Sequence, residues 1–213
     1  MNVLIQRCLL SLLLLAPLAA QAQDGNAALY GPVAPAGSAY VRVLNLSGAP
    51  AEVLLSGKAS AQKVNAGQLG AYVFIAPGNR KITVNQTSQD ANLQGNSAYT
   101  LVYDGSSLQS IVDPYSDDPK KALVAFYNLT DQPLALKTQD GKHAIVDNVA
   151  KNHSGVRPVN EIKIGFAAFN GEQSVARFDE QFLKKGRSYS YLVIPDGGSY
   201  RAISQANSLD AIE

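Results

Sequence analysis

The chain has 213 residues, with 18 Lys+Arg against 17 Asp+Glu, 46% hydrophobic residues, a single cysteine and no tryptophan. That apolar content suits a packed globular protein and is too high for a disordered one. The even charge, with no polybasic tract, removes the electrostatic basis for binding nucleic acid or an anionic membrane.

The first residues, MNVLIQRCLLSLLLLAPLAAQAQ, place Arg7 before an apolar run from Leu9 to Leu15, then Pro17 and the small-residue site Ala20-Gln21-Ala22. This is the layout of a secretory signal peptide over residues 1–22, cut between Ala22 and Gln23. The run falls short of the roughly 20 apolar residues that span a bilayer. No later segment is long and apolar enough, so an exported chain without a transmembrane anchor is expected. Cys8 follows Gln6-Arg7 rather than a lipobox and leaves with the signal. The mature chain therefore has no disulfide, although an oxidising compartment would permit one.

Short β-rich runs follow between turn signals. Tyr40–Leu44, Glu52–Leu55, Ala71–Ile75, Lys81–Val84 and Tyr99–Tyr103 form a first set, divided by Ser56-Gly57, Ala66-Gly67, Pro77-Gly78-Asn79 and Asp104-Gly105. Leu123–Leu129, Leu134–Lys137, Ala144–Val146, Glu161–Phe169 and Tyr189–Ile194 form a second. In Ile162–Phe169 the even positions are expected to face the core. Strands at this spacing, with no convincing amphipathic helix, predict an all-β protein of sandwich type.

The two sets repeat one another. AYVRVLNLSGAP (Ala39–Pro50) aligns without a gap to ALVAFYNLTDQP (Ala122–Pro133). SAYTLVYDGSSLQSI (Ser97–Ile111) returns as SYSYLVIPDGGSYRAI (Ser188–Ile203) with Pro195 taken as an insertion, pairing Leu101 with Leu192 and Ile111 with Ile203. Matched ends in the same order point to two tandem, duplicated β-sandwich domains of the immunoglobulin or carbohydrate-binding-module kind. They are placed at 29–113 and 119–205, with a linker at 114–118 inside the segment Val112–Lys121, which carries two prolines and five charges, and a flexible tail at 206–213.

Reactive groups are few. There are two histidines, and no zinc-protease, phosphate-loop or paired-cysteine motif, so no metal site or cofactor is expected. Asp140-Gly141-Lys142-His143 has the Asp-x-x-His spacing of certain serine esterases, with Ser106 or Ser107 as a possible nucleophile. Against it, Asp140-Gly141 reads as a hairpin turn and the serines lack a nucleophile elbow. No catalytic residue is assigned, and an acetyl esterase or transferase using Asp140 and His143 stands as the lesser alternative.

Binding is the natural use of tandem sandwiches, and an acidic polysaccharide is one candidate partner. Tyrosine stacks on sugar faces and arginine pairs with carboxylates. Exposure-prone positions give Tyr30, Arg42, Arg157, Arg177, Lys184, Lys185 and Arg187 as interaction candidates, the last four forming a loose basic group beside Phe178 and Phe182.

The segment AALYGPVAPAGSAYVRVLNLS (Ala27–Ser47), with Leu29-Tyr30-Gly31-Pro32, Ala34-Pro35 and Gly37-Ser38 running into the first strand, resembles the AlgF family of alginate biosynthesis proteins. Ala122–Lys142 and Arg157-Pro158-Val159-Asn160 are similar to it as well. The resemblance implies a periplasmic, non-catalytic accessory protein needed for O-acetylation of an exopolysaccharide, alginate by preference, with acetylated cellulose systems using similar proteins. It implies as partners the periplasmic O-acetyltransferases and the membrane acetyl-transfer protein of the same pathway. A polysaccharide-binding module remains the alternative.

Overall fold

The computed structural model describes residues 34–114, 118–210 and 212. The signal segment with Ala22 and Gln23, and Tyr30, lie outside the described residues. Over the described residues the chain is all-β, in two tandem domains, and no helix is long and apolar enough to cross a membrane.

The first domain has an inner sheet ordered β4 (Val73–Ile75), β1 (Ala39–Asn45), β7 (Ala98–Tyr103), β8 (Leu108–Asp113). Its outer sheet is ordered β3 (Gln62–Val64), β2 (Ala51–Leu55), β5 (Gly78–Val84), β6 (Thr87–Leu93). The second domain repeats the order. Its inner sheet is β12 (His153–Val159), β9 (Ala122–Asn128), β17 (Ser188–Asp196), β18 (Ser199–Ala206), and its outer sheet is β11 (Ala144–Val149), β10 (Leu134–Thr138), β14 (Phe166–Asn170), β15 (Gln173–Arg177). A ribbon of β13 (Ile162–Ile164) and β16 (Gln181–Leu183) is its one addition. Gly165 divides β13 from β14, so the expected continuous strand breaks there. Phe166 and Ala168 reach the core while Ile162 is half-exposed.

Each domain closes its own core, but a third cluster joins them. Leu44, Val102 and Ile111 of one inner sheet pack with Ala125, Tyr127, Leu192 and Ile194 of the other. The inner sheets therefore face each other, and β1, β7, β9 and β17 are buried on both faces. Such strands read as near-continuous apolar runs rather than alternating ones. In both domains the central pair is parallel, β1 with β7 and β9 with β17.

The repeated phrase has a local cause. Asn45 Nδ2 donates to Ala49 O (2.8 Å) and Val64 O (3.0 Å), while its Oδ1 accepts from Ser47 N (3.0 Å) and Ser47 Oγ (2.6 Å). Asn128 makes the same four bonds with Gln132 O, Val149 O, Thr130 N and Thr130 Oγ1, at 2.6, 2.8, 2.9 and 2.7 Å. Both amides are fully buried. A buried carboxamide has two donors and room for two acceptors, and here all are used. Each asparagine thus pins the connection from the first strand to the second.

The second echo is real in topology but shifted by one residue. Val41 pairs with Tyr99 and Val124 with Tyr189, so Tyr99 corresponds to Tyr189 and Leu101 to Tyr191, not Leu192. Each tyrosine hydroxyl also accepts the amide five residues upstream, Gln94 N and Lys184 N, both at 2.9 Å. A one-residue slip would turn every core side chain to the other face. The difference lies in the hairpin. Tyr103 pairs with Leu108, whereas Val193 pairs with Ala202 in a longer arm, so Ile111 corresponds to Gln205.

Residues 208–210 and 212 are not a free tail. Tyr72 N donates to Ser208 O (2.9 Å), Asp210 N donates to Tyr72 O (2.7 Å), and Leu209 forms a parallel bridge with Tyr72. Gln62 Nε2 holds Asp210 Oδ2 at 2.7 Å, Lys58 Nζ reaches Ile212 O at 3.1 Å, and Ile212 packs on the first core. The C-terminal residues cover backbone beside the edge strand β4 that would otherwise be open.

A candidate binding cleft on the second domain

Among the described residues no hydrogen bond links Asp140 to His143, the suggested catalytic pair. The Asp140 carboxylate accepts Thr138 Oγ1 at 2.5 Å and Lys142 N at 3.2 Å, the geometry of the turn between β10 and β11. These bonds, Thr138 first, hold its carboxyl below the ordinary range. Asp104 engages both candidate nucleophiles: Ser107 Oγ donates at 2.6 Å and Ser106 Oγ at 3.0 Å, with the backbone N–H of each. Those donors, led by the Ser107 hydroxyl, hold Asp104 far below the carboxylate range. Ser106 and His143 lie on different domains.

Arg42 was expected at the surface and is instead 1% exposed. It occupies the outward face of β1, but that face meets the second domain rather than water. Nε donates to Thr100 Oγ1 (2.8 Å), Nη1 to Asn207 Oδ1 (2.8 Å), and Nη2 to Tyr127 OH (3.0 Å) and Ser190 Oγ (2.9 Å). Thr100 and Ser190 hold equivalent places in the two domains. Asp113 is the counter-ion at 3.8 Å, its Oδ2 accepting Thr100 Oγ1 (2.8 Å) and Tyr72 OH (2.6 Å). The guanidinium lies 4.2 Å from the Tyr72 ring centre. Burial pushes the Tyr72 and Tyr127 phenols well above the ordinary range, against the lowering effect of Arg42. One cation thus ties together both inner sheets and the chain end.

The loose basic group separates. Lys184, Lys185 and Arg187 share the turn before β17, where Lys185 N donates to Glu161 Oε2 at 3.2 Å, while Arg177 ends β15 on the outer sheet. Phe178 is buried beside Tyr191, its ring 5.1 Å away edge-on, and Phe182 is exposed.

Arg157 belongs to a different assembly. It sits on β12, an edge of the inner sheet, and Nη1 donates to Ala144 O of β11, an edge of the outer sheet, at 2.9 Å. The opening between these edges is a cleft of about 470 Å³. Lys121, Lys142 and Arg157 supply its charge, His143 and Asn160 polar groups, and Ala144, Ile145, Pro158 and Val159 its apolar floor. Among the described residues no carboxylate lines it; the adjoining Asp140 stands 3.8 Å from Lys142 Nζ at the surface. Sequence reasoning finds Arg157, weighs His143 as a catalytic base or metal ligand rather than as part of a binding surface, and misses Lys121 and Lys142 as binding residues. Their convergence depends on two sheet edges that sequence does not place side by side.

A second hollow, of about 500 Å³, lies on the first domain near Phe74 and Pro77. Its cations are already engaged: Arg80 with Ala76 O and Pro77 O, Lys58 with Ile212 O and the Phe74 ring. Among the described residues no group of His, Cys, Asp and Glu is arranged to hold a metal ion.

Fold and cleft define a class: two duplicated β-sandwiches fused through their inner sheets, with a basic cleft open at the edge of the second. The chain belongs to the AlgF family. Residues 11–190 match the family model described as alginate O-acetyl transferase AlgF. The chain is similar to the alginate biosynthesis protein AlgF of Pseudomonas aeruginosa, 36% identical over 184 residues that cover 86% of this chain and 84% of that one. To the protein of the same description from Pseudomonas putida it is 35% identical over 175 residues, 82% and 81% of the two chains. Among solved structures it is similar to the C-terminal domain of AlgF from P. aeruginosa, at 32% identity over 41% of this chain and 99% of that one, with a TM-score of 0.38.

Proposed function

We propose that this chain is a periplasmic accessory protein of alginate O-acetylation that holds other components of the reaction together without performing the transfer. Family membership supplies the pathway. The observation that carries the adaptor reading is the Arg42 joint, which makes two sandwiches one body and so fixes the surfaces they present. A rigid pair of modules brings two partners to a high effective concentration with little entropy left to lose. The engagement of Asp140 by Thr138, and of Ser106 and Ser107 by Asp104, also favours this reading over an esterase.

The partners proposed are the periplasmic O-acetyltransferases and the membrane protein that passes acetyl groups outward. The test is co-purification of these proteins with the tagged full chain, beside an acetyl-ester hydrolysis assay on the purified chain. Association without hydrolysis is the expected result. Hydrolysis that is lost in His143→Ala, with no association, would refute the proposal.

A further inference from the structure

We infer that the cleft between β11 and β12 takes an extended, acidic and aliphatic segment of a partner protein. This rests on the adaptor reading above and names the face it uses. Three cations line the cleft, and among the described residues no carboxylate lines it. Lys142 and Arg157 are exposed and Lys121 is half-buried. Lys121 Nζ is held by Asn160 Oδ1 at 2.6 Å, and Arg157 is anchored on Ala144 O through Nη1 alone. That bond fixes the guanidinium plane and leaves its other N–H donors for a carboxylate, which a planar fork binds in two-point fashion.

The floor decides between a protein and a polysaccharide. Ile145 and Val159 are partly buried against the second core and turn their remaining surface to the cleft. Among the described residues no Phe, Tyr or Trp lines it, and the His143 imidazole is its one aromatic ring. Pyranose faces are bound by stacking on aromatic rings, whereas alternating acidic and aliphatic side chains match cations set around an aliphatic floor. The cleft runs between two strand edges, a shape that suits an extended chain. Its charge steers an acidic segment and makes the association sensitive to salt.

The test uses the isotopically labelled full chain titrated with a synthetic peptide repeating Glu-Leu-Glu-Gly and, separately, with polymannuronate at equal carboxylate concentration. The peptide is expected to shift the amides of Lys142, Ile145 and Arg157. Binding should weaken roughly tenfold or more in Lys121→Glu/Lys142→Glu/Arg157→Glu. The control Lys184→Glu/Lys185→Glu should retain it, and both variants should keep the wild-type melting temperature. Absence of these shifts, or stronger shifts with polymannuronate, would overturn the inference. Co-purification then separates this failure from failure of the adaptor reading. If the triple variant still retains the acetylation proteins, the cleft is wrong and the adaptor stands. If wild type retains none, the adaptor reading falls and this inference falls with it.

Discussion

Replacing Arg42 by methionine tests whether one buried cation joins the domains. The change keeps the aliphatic stem and removes every guanidinium bond, leaving the nearly buried Asp113 with only Thr100 and Tyr72 as donors. Removing one partner of a buried, hydrogen-bonded ion pair costs about 3–5 kcal/mol. Against a total stability of about 5–15 kcal/mol that is a large share. At about 2–4 °C per kcal/mol for a chain of this size, the melting temperature should fall by about 6–20 °C. Urea unfolding followed by far-ultraviolet circular dichroism measures this directly. The double variant Arg42→Met/Asp113→Asn should recover much of the loss, because it removes both charges. A loss under about 1 kcal/mol in Arg42→Met would refute the reasoning, since that is the scale of an exposed pair. Strict additivity in the double variant would refute it too.

Other outcomes follow from the same contacts. Asn45→Ala and Asn128→Ala should each cost about 2–4 kcal/mol in urea unfolding, because the four bonds of a buried amide are lost, while Ala49 O and Gln132 O keep the Ser47 and Thr130 hydroxyls as donors. Deleting residues 207–213 should lower stability by about 2–4 kcal/mol, since it removes Asn207 from Arg42 and the backbone bonds to Tyr72; an unchanged melting curve would contradict the docked chain end. Raised folded pKa values at Tyr72 and Tyr127 mean that their stabilisation is complete below the unfolded value of about 10. It is lost as pH rises above about 10, so alkaline unfolding should shift to higher pH in Tyr127→Phe. The depressed carboxyl of Asp104 works in the opposite direction: its contribution holds above the unfolded value of about 4 and fades only below it.

The longest apolar strands in the sequence are those buried on both faces. Tyr40–Leu44, Leu123–Leu129 and Tyr189–Ile194 are apolar runs because the inner sheets pack against a core on one side and the partner domain on the other. The edge strands β6 and β12 stay hidden. β6 reads TSQDANL and β12 reads HSGVRPV, with most side chains toward water, so neither alternation nor propensity marks them. Pro158 in β12 argues against a strand by itself and is tolerated because β12 lies at an edge of its sheet. Gly155 serves packing: a Cβ there would meet Val146 Cγ1 at 2.4 Å. Arg42 misleads for a related reason. Its place on the non-core face of β1 suggests solvent, but a second domain covers that face. The cleft was legible only in part, through Arg157, because Lys121, Lys142 and Arg157 meet across two different sheets.

The central claim is that the chain supports alginate acetylation without supplying its catalytic groups. The most direct measurement is the O-acetyl content of alginate from a strain lacking this chain, complemented with Ser106→Ala/Ser107→Ala/Asp140→Ala/His143→Ala or with wild type. The account predicts equal acetylation by both. Unacetylated polymer with the variant, present at wild-type level and folded, against full acetylation with wild type, would contradict it.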